Sequence, residues 1–304
     1  MNACSRESVS LQSLGDRLSA TLFPAESERP TPALIVAHGA GDFKEHYFEL
    51  CEYIAGRGIT CLAVDMHGHG QSEGERYHVN VEKWVADISA AADFLSKRPK
   101  VDAERIAAFG ISSGGTAILE AAIIDPRIKA LIALDATVRD SLPFFQSAFF
   151  HLLIAIARLK KAITGTDWKI PLLKLSGELH VASDPEVNAR LTKPELLEAF
   201  RAFPLPGAAP AFFVDTIRRV GSIRVPTLVI WGEDDKLDPP ETARLLAEAL
   251  TCQKQLHIIP GNGHAGHADR NRQKVFELTA EWILQNLGSA HQTVVGAADV
   301  FSHC

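Results

Sequence analysis

Short apolar runs alternate with longer segments of helical periodicity over most of this 304-residue chain. The apolar runs predict buried strands at residues 33–37, 59–64, 105–110, 130–134, 226–231 and 255–259. The periodic segments predict helices at residues 45–57, 81–98, 113–124, 240–250 and 272–287. Two alternating segments at 9–14 and 17–23 flank Gly15-Asp16 and predict an antiparallel hairpin at the sheet edge. This order favours an α/β fold with a mostly parallel central sheet and helices on both faces.

Residues 136–222 do not continue this alternation of strands and helices, and the segment is too long to be a loop without secondary structure. They contain helical patterns at 144–161, 193–203 and 211–220, which are separated by prolines. We therefore expect a core of residues 1–135 and 223–289, an inserted helical cap of residues 136–222, and a tail of residues 290–304. A cap of this kind excludes water and forms part of the substrate pocket.

One stretch of the cap segment, residues 141–157, is strongly apolar and carries no charge. At 17 residues it is shorter than the ~20 residues that a membrane-spanning helix needs. Two interpretations remain open: a cap helix packed against the core, or a lid that binds an acyl chain and touches membranes transiently. In the second interpretation Phe144, Phe145 and Phe149 line the acyl side of the pocket.

The segment Gly110-Ile-Ser-Ser-Gly114 follows a predicted strand and precedes a predicted helix. A G-x-S-x-G sequence in this context is typical of a nucleophile elbow, a tight turn that exposes a serine hydroxyl at the end of a strand. The residues two before and two after the nucleophile must lack side chains. Ser112 has glycine at both positions, whereas Ser113 has Ile111 at the first, so Ser112 is the predicted nucleophile.

A serine nucleophile needs a base and an orienting acid, which follow in the order Ser, Asp/Glu, His in this arrangement. His264 lies just past the predicted strand 255–259 and is the predicted base, with His267 as the alternative. The loop after strand 226–231 offers three carboxylates. Asp235 is favoured over Asp234, and Asp238 stands beside two prolines that suit the start of a helix, where it would serve as a cap.

The stabilising donors for an oxyanion are expected to be backbone N–H groups. One is the N–H of Ser113, the residue after the nucleophile. The other comes from the loop after strand 33–37, where Ala40 is the best candidate. His38 in the same loop is expected to support the loop rather than to act in catalysis.

Three segments together resemble the α/β-hydrolase superfamily, in particular its monoacylglycerol lipase and lysophospholipase-like branch. They are the segments that begin at His38 (HGAGDFKEHY), at Asp65 (DMHGHGQSEG) and at Gly110 (GISSGG). The resemblance covers roughly residues 30–135 and 225–287. It implies an α/β-hydrolase fold with Ser112, Asp235 and His264 as the triad and with Ala40 and Ser113 as oxyanion donors.

Two features depart from that branch, which usually has a histidine where this chain has Ile111. The first loop also carries extra residues after Gly41. Both positions lie near the expected pocket mouth, so they bear on substrate preference rather than on the triad. His67 and His69 stand in a segment that braces the site in this family, and a third metal ligand is not evident, so no metal is expected.

Composition limits which binding partners and which cellular compartment the chain is expected to have. Hydrophobic residues make up 46% and charged residues 22% of the chain, as in ordinary globular proteins. The formal net charge is −6 with no basic block, which argues against a nucleic-acid partner. The five cysteines are scattered and the first 13 residues lack the apolar stretch of a signal peptide, so a cytoplasmic location is expected. The sequence does not indicate an oligomeric state.

The expected activity is hydrolysis of a carboxylic ester of a hydrophobic acyl group through an acyl-enzyme, with a small-molecule ester as partner and no cofactor. Thioester hydrolysis and aminopeptidase-type cleavage use the same triad and remain open. A third hypothesis is a ligand-binding protein that keeps the fold without catalysis.

Overall fold

The computed structural model describes residues 6–140, 143–171, 179–192, 198–207 and 213–288. Its centre is an eight-stranded sheet. The strands are β1 (Glu7–Ser13), β2 (Asp16–Phe23), β3 (Thr31–Ala37), β4 (Thr60–Val64), β5 (Val101–Ile111), β6 (Ile128–Leu134), β9 (Thr227–Gly232) and β10 (Lys254–Ile259). They lie in the order β1-β2-β4-β3-β5-β6-β9-β10, and only the β1–β2 and β2–β4 pairs are antiparallel. The predicted edge hairpin and the mostly parallel sheet are confirmed.

Helices cover both faces of this sheet. One face carries α2 (Val81–Ser96), α3 (Ser113–Ile124) and α7 (Pro240–Ala249), and the other carries α1 (Phe48–Gly56) and α8 (Arg272–Leu287). Strand β3 shows why the strands are continuous apolar runs. Ala33, Ile35 and Ala37 pack on the side of α2, α3 and α7, and Leu34 and Val36 pack on the side of α1 and α8. A central parallel strand is buried on both sides, so both of its faces must be apolar.

The cap segment, residues 136–222, contributes no strand to this sheet within its described part. It contains α4 (Phe144–Thr164), α5 (Pro185–Leu191), α6 (Glu198–Arg201), and a separate two-stranded sheet of β7 (Lys169–Ile170) and β8 (Phe203–Pro204). Helix α4 confirms the pattern at 144–161. Helix α5 was not predicted, although Asp184 caps it by accepting the N–H groups of Glu186 and Val187.

Two predicted cap helices differ from the structure. Of the segment 193–203, residues 193–197 lie outside the described residues, and the remainder forms α6 and the start of β8. The described part of 211–220 forms short 3₁₀ helices, Thr216–Arg218 and Val220–Ser222, instead of one helix. Two contacts fix these turns on the core. The Thr216 hydroxyl donates to Glu120 of α3 at 2.5 Å, and Val220 is buried among the apolar side chains on the α2, α3 and α7 side of the sheet. The predicted tail, 290–304, lies outside the described residues.

The carboxyl ends of four neighbouring strands meet at one edge of the sheet. Ser112 follows β5, Asp135 follows β6, Asp235 follows β9, and His264 follows β10. This is the edge where open parallel sheets bind their ligands.

Candidate active site

Ser112 occupies a sharp turn between β5 and α3. Its φ of 52° and ψ of −123° lie in a region that residues with side chains rarely adopt. A Cβ atom at Gly110 would lie 2.3 Å from the carbonyl oxygen of Gly114, and one at Gly114 would lie 2.4 Å from the carbonyl oxygen of His38. The two flanking glycines are therefore sterically required, and the strained backbone is what presents the Ser112 hydroxyl.

Asp235 and His264 are joined in a buried pair. His264 Nδ1 donates to Asp235 Oδ2 at 2.8 Å. The other oxygen, Asp235 Oδ1, accepts the backbone N–H groups of Leu237 at 2.8 Å and Asp238 at 3.0 Å. A Cβ at Gly232 would lie 2.3 Å from the carbonyl oxygen of Gly263, so the two loops are in contact. In the neutral imidazole this hydrogen bond keeps the proton on Nδ1 and leaves the Nε2 lone pair free.

The alternative acids have other partners. Asp234 is exposed and accepts the Ser183 hydroxyl at 3.1 Å. Asp238 is buried, and its Oδ2 accepts the Thr137 hydroxyl at 2.7 Å. Neither carboxylate forms a hydrogen bond with His264, so Asp235 is the one of the three that does.

The alternative base, His267, is buried against Tyr47, whose ring stacks on the imidazole at a centroid distance of 4.3 Å. Burial lowers the pKa of His267 to about 4. Neither ring nitrogen has a hydrogen-bond partner among the described residues. Without an orienting acid, His267 lacks the arrangement that a general base of this type requires.

The hydroxyl of Ser112 lies against Thr137 rather than His264. Ser112 Oγ and Thr137 Oγ1 are 3.4 Å apart, and the Thr137 hydroxyl donates its own hydrogen bond to Asp238. Ser112 is therefore the donor to Thr137. Within the described residues no hydrogen bond joins Ser112 to His264, a link that often tightens only when substrate binds.

Three carboxyl groups influence the imidazole of His264. Burial acts to lower its pKa, but attraction to Asp235, with smaller contributions from Asp238 and Asp135, raises the pKa to about 9. The imidazolium that forms when a serine is deprotonated is stabilised by this same field.

Asp135 was missed by sequence reasoning. It is fully buried at the end of β6 with a φ of 44°, and it accepts the Gly232 N–H at 2.7 Å. Burial, and then repulsion from Asp235, raise the pKa of Asp135 well above its ordinary value. Its position directly after an apolar strand, at the end of the sheet where Asp235 and His264 also stand, was the signal that could have identified it.

The predicted oxyanion donors lie beside Ser112. A Cβ at Gly39 would be 3.3 Å from the Cβ of Ser112, so the loop that contains Ala40 passes close to the elbow. Ser113 is the first residue of α3, where helix N–H groups lack intrahelical partners. Neither the Ala40 N–H nor the Ser113 N–H is engaged by an acceptor within the described ranges.

The oxyanion loop is braced by buried polar groups. His38 donates from Nδ1 to the Gly39 carbonyl at 2.7 Å and accepts the Met66 N–H on Nε2 at 3.0 Å. Asp65 accepts both the backbone N–H of Lys44 at 2.9 Å and its ammonium group at 2.6 Å. These contacts fix the loop that carries the Ala40 N–H, and preorganisation of this kind is what an oxyanion donor requires.

The phenylalanines predicted to line the acyl pocket lie elsewhere. Phe144, Phe145 and Phe149 are on the outer face of α4 with 78%, 84% and 57% of their surface exposed. The structure does not bring them to Ser112, because the side of α4 that packs inward carries Ile154 and Ala157 instead. No helix in the described part of the chain is long and apolar enough to cross a membrane.

His67 and His69, the histidines considered as metal ligands, form hydrogen bonds with other residues of the chain. His67 Nδ1 lies 2.5 Å from Asp87 Oδ1, and its Nε2 lies 3.2 Å from Asp16. His69 is buried, and its Nδ1 is 2.9 Å from the carbonyl oxygen of His67. They brace the turn after β4, as the family resemblance implied.

Comparison with known proteins agrees with this geometry. The model of the serine aminopeptidase S33 family matches residues 28–271. A polyketide transferase, ATR5 of Stachybotrys chlorohalonatus, is 36% identical over 280 residues, which are 87% of this chain and 91% of that protein. A monoacylglycerol lipase of Mycolicibacterium smegmatis is 24% identical over 275 residues, 85% of this chain and 90% of the lipase.

Among solved structures, the α/β hydrolase GrgF from Penicillium sp. sh18 superposes with a TM-score of 0.81 at 22% identity. The superposition covers 94% of this chain and all of GrgF. This likeness establishes the fold, and the family match extends over the elbow, the acid loop and the histidine loop. The chain belongs to the serine aminopeptidase S33 family of the α/β-hydrolase superfamily, in the branch that also contains monoacylglycerol lipases.

Proposed function

We propose that this protein is a serine hydrolase that cleaves a carboxylic ester of a hydrophobic acyl group through an acyl-enzyme on Ser112. The observation that carries this proposal is a strained, glycine-flanked Ser112 at the same sheet edge as the buried Asp235–His264 pair. A protein that only binds ligands has no need to maintain both the strain and the buried charge pair.

In the first half of the proposed reaction, the Ser112 hydroxyl leaves Thr137 and donates to His264 Nε2. His264 takes the proton as Oγ attacks the ester carbonyl carbon, and Asp235 stabilises the resulting imidazolium. The N–H groups of Ala40 and Ser113 receive the oxyanion of the tetrahedral intermediate. The intermediate collapses when His264 gives its proton to the leaving alcohol.

The second half regenerates the enzyme with water as the nucleophile. His264 removes a proton from water, the hydroxide attacks the acyl carbon, and Ser112 leaves with the proton that His264 returns. Attack and departure use the same oxyanion donors, so one fixed site serves both half-reactions.

The substrate class is inferred from relatives and from chemistry. The matched lipase of Mycolicibacterium smegmatis is named for monoacylglycerol, an ester of one acyl group with glycerol. A thioester is the second candidate substrate, because aneE of Aspergillus aculeatus, which is 33% identical over 134 residues or 42% of this chain, is named a thiohydrolase. Attack on a thioester uses the same residues and differs only in the leaving group, which is a thiolate that departs more easily than an alkoxide.

The test is a kcat/KM profile on p-nitrophenyl esters of graded acyl length, with thioesters of matched acyl groups and aminoacyl amides alongside. Each methylene moved from water into an apolar site contributes up to ~0.8 kcal/mol, or about fourfold in kcat/KM. We expect kcat/KM to rise with chain length before it falls, and Ser112→Ala to abolish it. Preference for aminoacyl amides, or a profile that is flat with chain length, would contradict the hydrophobic acyl ester assignment.

A further inference from the structure

Helix α4 leaves one whole face uncovered. Six large apolar side chains on this face are between 45% and 84% exposed: Phe145, Phe149, Leu152, Ile156, Leu159 and Ile163. The opposite face packs against the rest of the protein, because Ile154 and Ala157 are buried against Leu205. Soluble monomers rarely expose contiguous apolar patches larger than a few hundred Å².

The spacing of these six residues is alternately four and three along the chain. That is the heptad pattern of a coiled-coil seam, with Phe149, Ile156 and Ile163 at one core position and Phe145, Leu152 and Leu159 at the other. A strict 3.5-residue repeat keeps a seam facing a partner helix over the ~30 Å length of α4, whereas a helix that only packs on a domain drifts around its axis. We name these six residues the α4 seam.

Alanines accompany the seam at every seventh residue. Ala148, Ala155 and Ala162 are all exposed and all stand one position before a seam residue. Small residues at this position let a second helix approach closely, so the surface beside the seam does not obstruct a partner.

We propose that the α4 seam is the interface of a homodimer, in which α4 of one copy packs antiparallel against α4 of a second copy. A large apolar side chain has on the order of 200 Å² of surface. The exposed parts of the seam and Phe144 therefore come to about 900 Å² per protomer, close to the ~800 Å² that each partner contributes to a standard interface. A two-fold axis makes such an interface self-complementary and closed.

The antiparallel direction follows from shape. In that arrangement Phe145 meets Ile163 of the second copy, Phe149 meets Leu159, and Leu152 meets Ile156. Every layer then combines an N-terminal seam residue with a β-branched or leucine side chain, and no two phenylalanines face each other. A parallel pair would place Phe145 and Phe149 against Phe145 and Phe149 of the second copy. The bulky rings would then all lie at the N-terminal end, and only the smaller aliphatic side chains would lie at the other end.

Charge favours the same direction. The first 14 residues of α4 carry no charge, whereas Arg158 and Lys160 stand near its C-terminal end. A parallel pair would bring both basic ends together. An antiparallel pair separates them by more than the ~10 Å over which charges interact in ordinary salt.

The first test is the mass of the full chain in solution, by sedimentation velocity over a dilution series. We expect a dimer, and we expect Leu152→Glu/Ile156→Glu to weaken dimerisation at least about 100-fold, because these two residues form the central layers. Leu245→Glu, a change of an exposed leucine on α7, is the matched control and should leave the dimer intact. Turnover that persists in the double variant shows that it is folded.

The second test fixes the direction. An antiparallel pair places Ala155 beside Ala155 of the second copy, so Ala155→Cys should form an interchain disulfide under mild oxidation, whereas Ala148→Cys should not. A monomeric wild-type chain, a double variant that still dimerises, or equal cross-linking of both cysteine variants would overturn the proposal. A monomer that co-sediments with phosphatidylcholine/phosphatidylglycerol vesicles would overturn it in favour of a membrane surface as the occupant.

Discussion

Replacing Asp235 by asparagine removes one negative charge from the buried pair and preserves its shape. The backbone N–H groups of Leu237 and Asp238 both point at Asp235 Oδ1, so the amide of an asparagine will place its oxygen there and its NH₂ group toward His264. The opposite orientation would lose both hydrogen bonds, at about 0.5–1.5 kcal/mol each. The NH₂ group can only donate, so His264 Nδ1 must accept, and Nε2 then carries the proton.

An imidazole in that tautomer cannot accept the proton of Ser112. We therefore expect Asp235→Asn to lower kcat/KM by about 10⁴, which corresponds to about 5 kcal/mol of barrier. Loss of the charge that holds the pKa of His264 at about 9 should also move the inflection of the pH–rate profile downward, toward the ordinary value of 6.5.

The assay is p-nitrophenyl ester hydrolysis from about pH 6 to about pH 10, since kcat/KM reports the ionisation of the free enzyme. Asp234→Asn is the matched control, because its carboxylate is exposed and pairs with Ser183 rather than with His264. It should retain activity within about tenfold. A loss of less than tenfold for Asp235→Asn, or a crippled Asp234→Asn, would refute the assignment of the acid.

Three further predictions follow from the site and the elbow. Ser112→Ala should reduce ester turnover by ~10⁴–10⁶ and Ser113→Ala by far less, because the Ser113 N–H survives the change; the reverse order would show that the nucleophile is misassigned. In the wild type, kcat/KM should rise with pH, with an inflection near pH 9 and a plateau above it, as the His264 imidazolium, whose pKa is about 9, gives up its proton; a profile already flat at pH 7 would contradict this. Gly110→Ala should cost about 2 kcal/mol or more in the free energy of unfolding, because its Cβ would lie 2.3 Å from a backbone oxygen, whereas Gly56→Ala on α1 meets nothing within 4 Å and should be neutral or stabilising in the same thermal melt.

The parts of the molecule that sequence predicted well are those in which the signal is local. The turn at Ser112 requires glycines at fixed offsets, and Asp235 and His264 stand in the loops that follow apolar strands. Each of these features is written in a few consecutive residues. The topology of a parallel sheet then brings the strand ends together without further information.

The parts that were missed depend on tertiary neighbours. Asp135 looked like an ordinary loop residue until β6 and β9 were seen to be adjacent, which places its carboxyl against the Gly232 N–H. The apolar pattern of α4 is equally compatible with a pocket wall and with an outer surface, because periodicity shows that a helix has an apolar face but not what covers it. The segment 211–220 has helical periodicity, yet the contact of Thr216 with Glu120 favours short turns over a continuous helix.

The central claim is that Ser112 is an activated nucleophile, and covalent labelling tests it most directly. The full chain is treated with a fluorophosphonate, digested, and analysed by peptide mass spectrometry. We predict one phosphonylated site at Ser112, absent in Ser112→Ala, strongly slowed in His264→Ala, and retained in Ser113→Ala. An unlabelled chain, or a label on Ser113, would contradict the account.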